Sequence, residues 1–276
     1  MINFNGQCVT DLASVQTSTS ILSGLADSYS IYVPIVGTDL ILWESFYFHL
    51  MAQLRQRRFS IPDHYTPDFF EDQWATLKKE DSKNEQTLKI TCFRAAAPSM
   101  DQIYGETMFI LEQENESLFP EDPAGLEIDL YKDALVMAQL DTQGGKKPQP
   151  ITRIAEIFAL ENGWDASVLL HTDMHLAYSS RGTIYLKYAD GSLKTPDLKS
   201  GGLSHPLSRA WEEWLSEQKI ALEKSALAPF ELQQAESILL CDPEKGFAGV
   251  SKYRKTSYSN SQLMEWYLQF KTQLGL

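Results

Sequence analysis

A mixed α/β (α+β) fold in two lobes is what this chain of 276 residues predicts, and three observations predict it. Runs rich in β-branched and aromatic residues alternate with stretches whose apolar residues recur at helical spacing. A hydrophobic content of 43% is enough to build a sizeable core in a chain of this length. One acidic stretch with two prolines and a glycine, ENESLFPEDPAG at residues 114–125, reads as a connection. The boundary there divides an N-terminal α+β lobe, residues 1–120, from a C-terminal α/β lobe, residues 121–276.

In the first lobe MINFNGQ reads as a short strand with a turn at Asn5-Gly6, and YSIYVPIV before Gly37 reads as a second strand. Trp43, Phe46, Tyr47, Leu50, Met51 and Leu54 follow helical spacing, with Arg55, Arg57 and Arg58 near the end where cations suit the helix dipole. A further helix is predicted over residues 67–79, followed by the strands TLKITCFRA and MFILEQE. The second lobe opens on the strand LEIDLYKDALVMA. A helix follows with Ile151, Ile154, Ala155, Phe158 and Ala159 on one face, closed by Asn162-Gly163. ASVLLHTD, MHLAYSS, GTIYLKY and GSLKTP read as strands, with Asp190-Gly191 a hairpin signal. Pro206 starts a helix with the stripe Leu207, Ala210, Trp211, Trp214 and Leu215. ESILLCD is one more strand, and Leu263, Trp266, Tyr267, Phe270 and Leu274 place a closing helix at the end.

Lys plus Arg total 24 against 37 Asp plus Glu, for a net charge of −13, so nucleic acid and anionic membranes are excluded as partners. No stretch approaches the roughly twenty apolar residues of a membrane span, and MINFNGQCVTDL lacks the pattern of a signal segment. Cys8, Cys92 and Cys241 cannot all pair with one another, and two of them sit in strand-like runs, which fits a reducing cytoplasm. His171 and His175 are four apart but on strand, turn and strand, so no metal site is predicted. No nucleophile elbow, catalytic triad or Gly-rich nucleotide loop is present. Within DTQGGKKPQP, residues 141–150, Lys146 and Lys147 read by themselves as a solvated turn pair.

Read together and in order, MINFNG, FYFHLMAQLRQRRFSIPDHYTPDFF, IFALENGWDASVLLHTD, YADGSLKTPDLKSGGL, APFELQQAESILL and KGFAGVSKYRK resemble the class IV aminotransferases. That group of pyridoxal-phosphate proteins includes branched-chain and D-amino acid aminotransferases and aminodeoxychorismate lyase. The resemblance covers most of the chain and implies two lobes with pyridoxal phosphate in a cleft between them, usually in a homodimer. It also implies a lysine that forms a Schiff base with the cofactor aldehyde. Counting back from LENGWD places Gly145 on that position and Lys146 one step beyond; in an extended segment one step turns a side chain to the opposite face. Lys147 precedes Pro148, which holds it extended.

The remaining positions depart from the family pattern. The glutamate that keeps the ring nitrogen protonated falls on Tyr178, whose neutral phenol carries no such charge. The phosphate-binding arginine has become His49. The glycine turn at the phosphate corresponds to Ser204-His205-Pro206-Leu207, where Pro206 offers no N–H. A second phosphate contact corresponds to Lys245 in EKGF, and Thr183 joins His49, His205 and Lys245 as a cofactor-facing candidate by resemblance. The N-terminal signature of the family is missing from GLADSYSIYVP.

Three functions follow as expectations. The first is a divergent member that keeps the scaffold as a pseudoenzyme, has lost its pyridoxal-phosphate chemistry, and binds another small anion beside His49, His205 and Lys245. The second is an active aminotransferase or aminodeoxychorismate lyase with Lys146 as the Schiff-base lysine and Tyr178 facing the ring. The third is a non-catalytic interaction module.

Overall fold

The computed structural model describes residues 1–11, 15, 19–77, 85–95, 105–123 and 125–276. The end of the helix expected over residues 67–79 and one position of the predicted connection, residue 124, lie outside the described residues. The chain forms two compact units, Met1–Leu118 and Phe119–Leu276.

The first unit contains β1 (Ile2–Phe4), β2 (Gln7–Val9), α1 (Thr19–Ala26), β3 (Tyr29–Val36), β4 (Asp39–Leu40), α2 (Trp43–Gln56), α3 (Pro67–Ala75), β5 (Glu85–Arg94) and β6 (Thr107–Glu114). Its strands form one antiparallel sheet in the order β2-β1-β6-β5-β3-β4. The predicted turn at Asn5-Gly6 is a tight hairpin, in which the Gly6 N–H donates to Asn3 Oδ1 at 2.8 Å and Gly6 takes φ +91°. Helix α2 buries Phe46, His49, Leu50 and Leu54, the face its spacing predicts. Helix α3 begins where Pro67 follows Thr66, whose Oγ1 accepts from the Phe69 N–H at 3.2 Å. Phe70 of α3 stands edge-on to Tyr65 and Phe109, centroids 5.2 and 5.6 Å away, and seals this end of the core.

The second unit runs β7 (Gly125–Val136), α4 (Leu140–Gln143), α5 (Ile151–Glu161), β8 (Ala166–His171), β9 (Leu176–Ser179), β10 (Thr183–Lys187), β11 (Leu193–Pro196), α6 (Pro206–Glu217), β12 (Leu222–Ser225), α7 (Glu231–Gln234), β13 (Ser237–Asp242), β14 (Gly246–Tyr253), β15 (Thr256–Ser257) and α8 (Ser261–Gln273). The sheet order is β12-β11-β10-β13-β14-β7-β8-β9, with β15 folded onto β14. The β7–β8 and β14–β7 pairs are parallel, whereas β13–β14 and β10–β13 are antiparallel, so the sheet is mixed. Both faces are covered. Leu130, Val168, Ile184, Ile238 and Leu240 belong to one core cluster, and Tyr131, Leu169, Tyr178 and Ala155 to another. The Asp190-Gly191 hairpin joins β10 to β11 with Gly191 at φ +85°.

One expectation is corrected on α5. The side turned to the sheet carries Thr152, Ala155 and Ala159, while Ile154 is 49% exposed. Small residues let this helix approach the sheet closely, and Ile154 lies on the outer face with Ile157 and Leu160. The closing helix α8 is tied down by polar contacts as well as its stripe: Tyr267 Oη donates to Pro120 O at 2.6 Å and Lys271 Nζ to Phe119 O at 2.7 Å. Among the described residues no helix is long and apolar enough to cross a membrane, and no group of three His, Cys, Asp or Glu side chains could hold a metal ion.

Candidate functional site

The lysine pair sits on a loop shaped by two glycines. Helix α4 stops at Gly144, Gly145 adopts φ +73°, and the Lys146 N–H donates back to Asp141 O at 2.8 Å. Gly145 packs against the start of α6 so tightly that a Cβ there would lie 2.5 Å from the His205 Cβ and 2.8 Å from Ser204 O. The loop then presents Lys147 inward. Lys147 is 4% exposed, whereas Lys146 is only half-buried. Pro148 continues the chain toward α5, and its carbonyl accepts from Thr152 N at 3.1 Å and Thr152 Oγ1 at 2.7 Å.

The Lys147 ammonium donates to Asp242 Oδ2 at 3.0 Å and to Ser180 O at 3.1 Å, with Glu244 Oε1 at 4.0 Å. Asp242 ends β13 and is fully buried. Its other oxygen, Oδ1, accepts the backbone N–H of Glu244 at 2.8 Å and of Lys245 at 3.3 Å, so the carboxylate fills the turn that leads into β14. Arg181 Nε is 3.8 Å from Asp242 Oδ2, beyond hydrogen-bond range. Burial alone would lower the Lys147 pKa, but the Asp242 and Glu244 carboxylates outweigh it and hold the amine above its ordinary value. Burial alone would likewise raise the Asp242 carboxyl; the Lys147 ammonium and the Glu244 N–H outweigh it and hold it below its ordinary value. The two groups therefore stay charged and paired.

His205, Thr183, Tyr178 and His49 are each occupied within their own unit. His205 caps α6: its Nδ1 accepts from Ser208 N at 3.4 Å, which leaves Nε2 to donate toward Cys241 O at 3.2 Å. Burial pulls its pKa down to about 4 against the attraction of Asp242, so the ring is neutral at pH 7. Thr183 Oγ1 lies 3.4 Å from Leu203 O and 3.5 Å from His205 Nε2. Tyr178 is fully buried, and burial raises its phenol to about 12. Because Thr152 Oγ1 donates to Pro148 O, the Tyr178 hydroxyl donates to Thr152 Oγ1, at 3.0 Å. Lys245 is exposed and joins the cluster only through its backbone N–H. His49 belongs to the first unit, where its Nε2 meets Tyr29 Oη at 2.8 Å.

Lys147, Asp242 and Ser180 are the members that sequence reasoning passed over. A signal was present for the first two. Pro148 held Lys147 extended, and SILLCDP ends an apolar strand on an Asp-Pro pair that reads as a turn; burial of Lys147 also corrects the expectation of a solvated pair.

The sequence matches no family model and no curated protein. The fold does have counterparts of known structure. A branched-chain amino acid aminotransferase from Thermobaculum terrenum in its PLP form superposes with a TM-score of 0.83 at 12% identity, covering 99% of this chain and 93% of that one. A branched-chain aminotransferase from Thermoproteus uzoniensis, solved with norvaline, gives 0.82 at 12% identity over 99% and 94% of the two chains. A putative 4-amino-4-deoxychorismate lyase from Legionella pneumophila gives 0.79 at 15% identity over 96% and 98%. The chain thus has the class IV aminotransferase fold, the architecture its sequence resemblance implies.

Proposed function

We propose that this chain is a divergent protein on the class IV aminotransferase scaffold whose second unit no longer carries pyridoxal-phosphate chemistry. The observation that carries this reading is the buried pair of Lys147 and Asp242. A lysine that condenses with an aldehyde must offer an unprotonated, reachable amine, whereas this one is held charged against a buried carboxylate and a backbone carbonyl. The residues around it do not fit the cofactor either. Asp242 takes up the Glu244 and Lys245 N–H groups that an incoming anion would need, and a fixed carboxylate there repels a phosphate. Tyr178 supplies a neutral phenol already committed to Thr152, and His205 is neutral and committed to its helix cap and to Cys241 O.

No reaction step is assigned through that group, and the reading is of a protein that binds rather than transforms. The homodimer implied by the resemblance belongs to the same proposal and is read by sedimentation equilibrium. The direct test is to titrate purified protein with pyridoxal phosphate while recording its visible spectrum and its melting temperature. The proposal expects no protein-bound imine band and no rise in melting temperature, since a ligand that binds only the folded state must stabilise it. A saturable band with a matching rise would overturn it.

A further inference from the structure

We propose that the outer face of α5 docks a second copy of this chain, α5 against α5 in antiparallel order about a two-fold axis at Ile157. The helix is amphipathic in the reverse of the usual sense. Its small residues Thr152, Ala155 and Ala159 meet the sheet, while Ile154, Ile157 and Leu160 are 49%, 45% and 72% exposed. The solvent side of a surface helix ordinarily carries charged and polar side chains. Single exposed apolar residues are common, but three on one face of an 11-residue helix form a contiguous patch, the mark of a surface that another protein covers.

The order of residues along this face selects the occupant. Successive residues of an α-helix are about 100° apart, so Arg153, Ile154, Ile157, Leu160 and Glu161 all point within about 60° of the Ile157 direction. Around Ile157 the pattern is its own complement: Ile154 and Leu160 stand three residues to either side, Arg153 and Glu161 four. A second α5 laid across in the reverse direction sets Ile154 beside the partner's Leu160 and Arg153 beside the partner's Glu161, at both ends at once. That is the self-complementary arrangement of a two-fold dimer. Parallel pairing would instead bring arginine to arginine and glutamate to glutamate, and an unrelated partner gives no reason for the symmetry.

The charges at the two ends are available. Glu161 is exposed and has no cationic partner among the described residues. Arg153 is exposed and touches Glu156, on the flank of the same helix, at 3.1 Å. An exposed pair of this kind is worth little, and the five N–H donors of the guanidinium leave room for a second carboxylate. The net charge of −13 on each copy repels at a distance, but physiological salt screens exposed charges beyond about 8 Å and leaves the Arg153–Glu161 contacts inside that range. The face gives a surface to the homodimer included in the proposed function. It shares no residue with the Lys147–Asp242 cluster, so it stands independently of what pyridoxal phosphate does.

The test is sedimentation equilibrium of the full chain from about 1 to about 500 µM, because a contact centred on one helix is small for a stable interface and its expected dissociation constant is micromolar. Ile157→Glu sets two carboxylates together on the axis and is expected to leave a monomer. Leu160→Ser, at the most exposed of the three, is expected to weaken the dimer about tenfold, and far-UV circular dichroism checks that both variants are folded. Charge reversal is the discriminating arm. Arg153→Glu alone and Glu161→Arg alone are each expected to weaken the dimer about tenfold, since symmetry repeats each substitution at both ends. An equimolar mixture of those two proteins, and the double variant Arg153→Glu/Glu161→Arg, restore opposite charges at both ends and are expected to return to within about threefold of the wild type. A wild-type monomer throughout the range, a dimer unchanged by Ile157→Glu, or a double variant no tighter than the single ones would overturn the proposal. A dimer that survives every α5 substitution would overturn it too, while keeping the homodimer and moving it to another surface.

Discussion

Replacing Lys147 by Met removes one partner of a pair whose side chains are 4% and 0% exposed, and leaves the Asp242 charge in the interior. Breaking a buried ion pair from one side costs about 3–5 kcal/mol. The lower end applies here, because Asp242 Oδ1 keeps the Glu244 and Lys245 N–H groups and Arg181 Nε remains at 3.8 Å. A loss of about 3 kcal/mol in a unit of this size lowers the melting temperature by roughly 6–12 °C. The double variant Lys147→Met/Asp242→Asn removes both charges and is expected to recover to within about 1 kcal/mol of the wild type. Urea denaturation followed by tryptophan fluorescence, to which Trp211, fully buried on α6, contributes, measures all three proteins. A single-variant cost below about 1 kcal/mol, or a double variant no more stable than Lys147→Met, would refute the claim that these charges hold each other in place.

Acid should destabilise the second unit as pH falls below the ordinary histidine range. His205 has its pKa lowered from 6.5 to about 4, so the unfolded chain binds the proton first and stability falls as pH drops through that window. The full drop is about 3 kcal/mol, and His205→Asn, which can still cap α6, should flatten the pH profile measured by urea denaturation. Gly145→Ala combines φ +73° with a Cβ 2.5 Å from the His205 Cβ, whereas Gly163 at φ +74° faces nothing within 4 Å. Thermal melts should show Gly145→Ala costing more than Gly163→Ala, by about 1–3 kcal/mol. Tyr178→Phe gives up one hydrogen bond to Thr152, which keeps its own bond to Pro148 O, so its cost should stay near 0.5–1.5 kcal/mol in the same assay.

Much of the fold was legible because the local signals agreed with the tertiary ones. Pro206 opened α6, Asn162-Gly163 closed α5, and Asp190-Gly191 turned a hairpin, each through backbone preferences that packing reinforces. Short elements were less legible. β12, over Leu222–Ser225, is largely exposed LEKS and exists because β11 offers it a parallel edge, which no periodicity in four residues could reveal. The face of α5 was misjudged at Ile154 because Thr152 and the two alanines, not the largest apolar residues, fit against the sheet. At the site, one-step counting along the glycine loop drew attention to Gly145 and Lys146. Which lysine turns inward is decided by Gly145 packing on His205 and by Asp242, which lies 95 residues from Lys147. That separation carries no trace in local spacing.

The most direct test of the account is chemical trapping. Protein incubated with pyridoxal phosphate, reduced with borohydride and mapped by peptide mass spectrometry should carry no more label on Lys147 or Lys146 than on exposed lysines outside the site such as Lys219. Stoichiometric, site-selective pyridoxyl label on either member of the pair would contradict it.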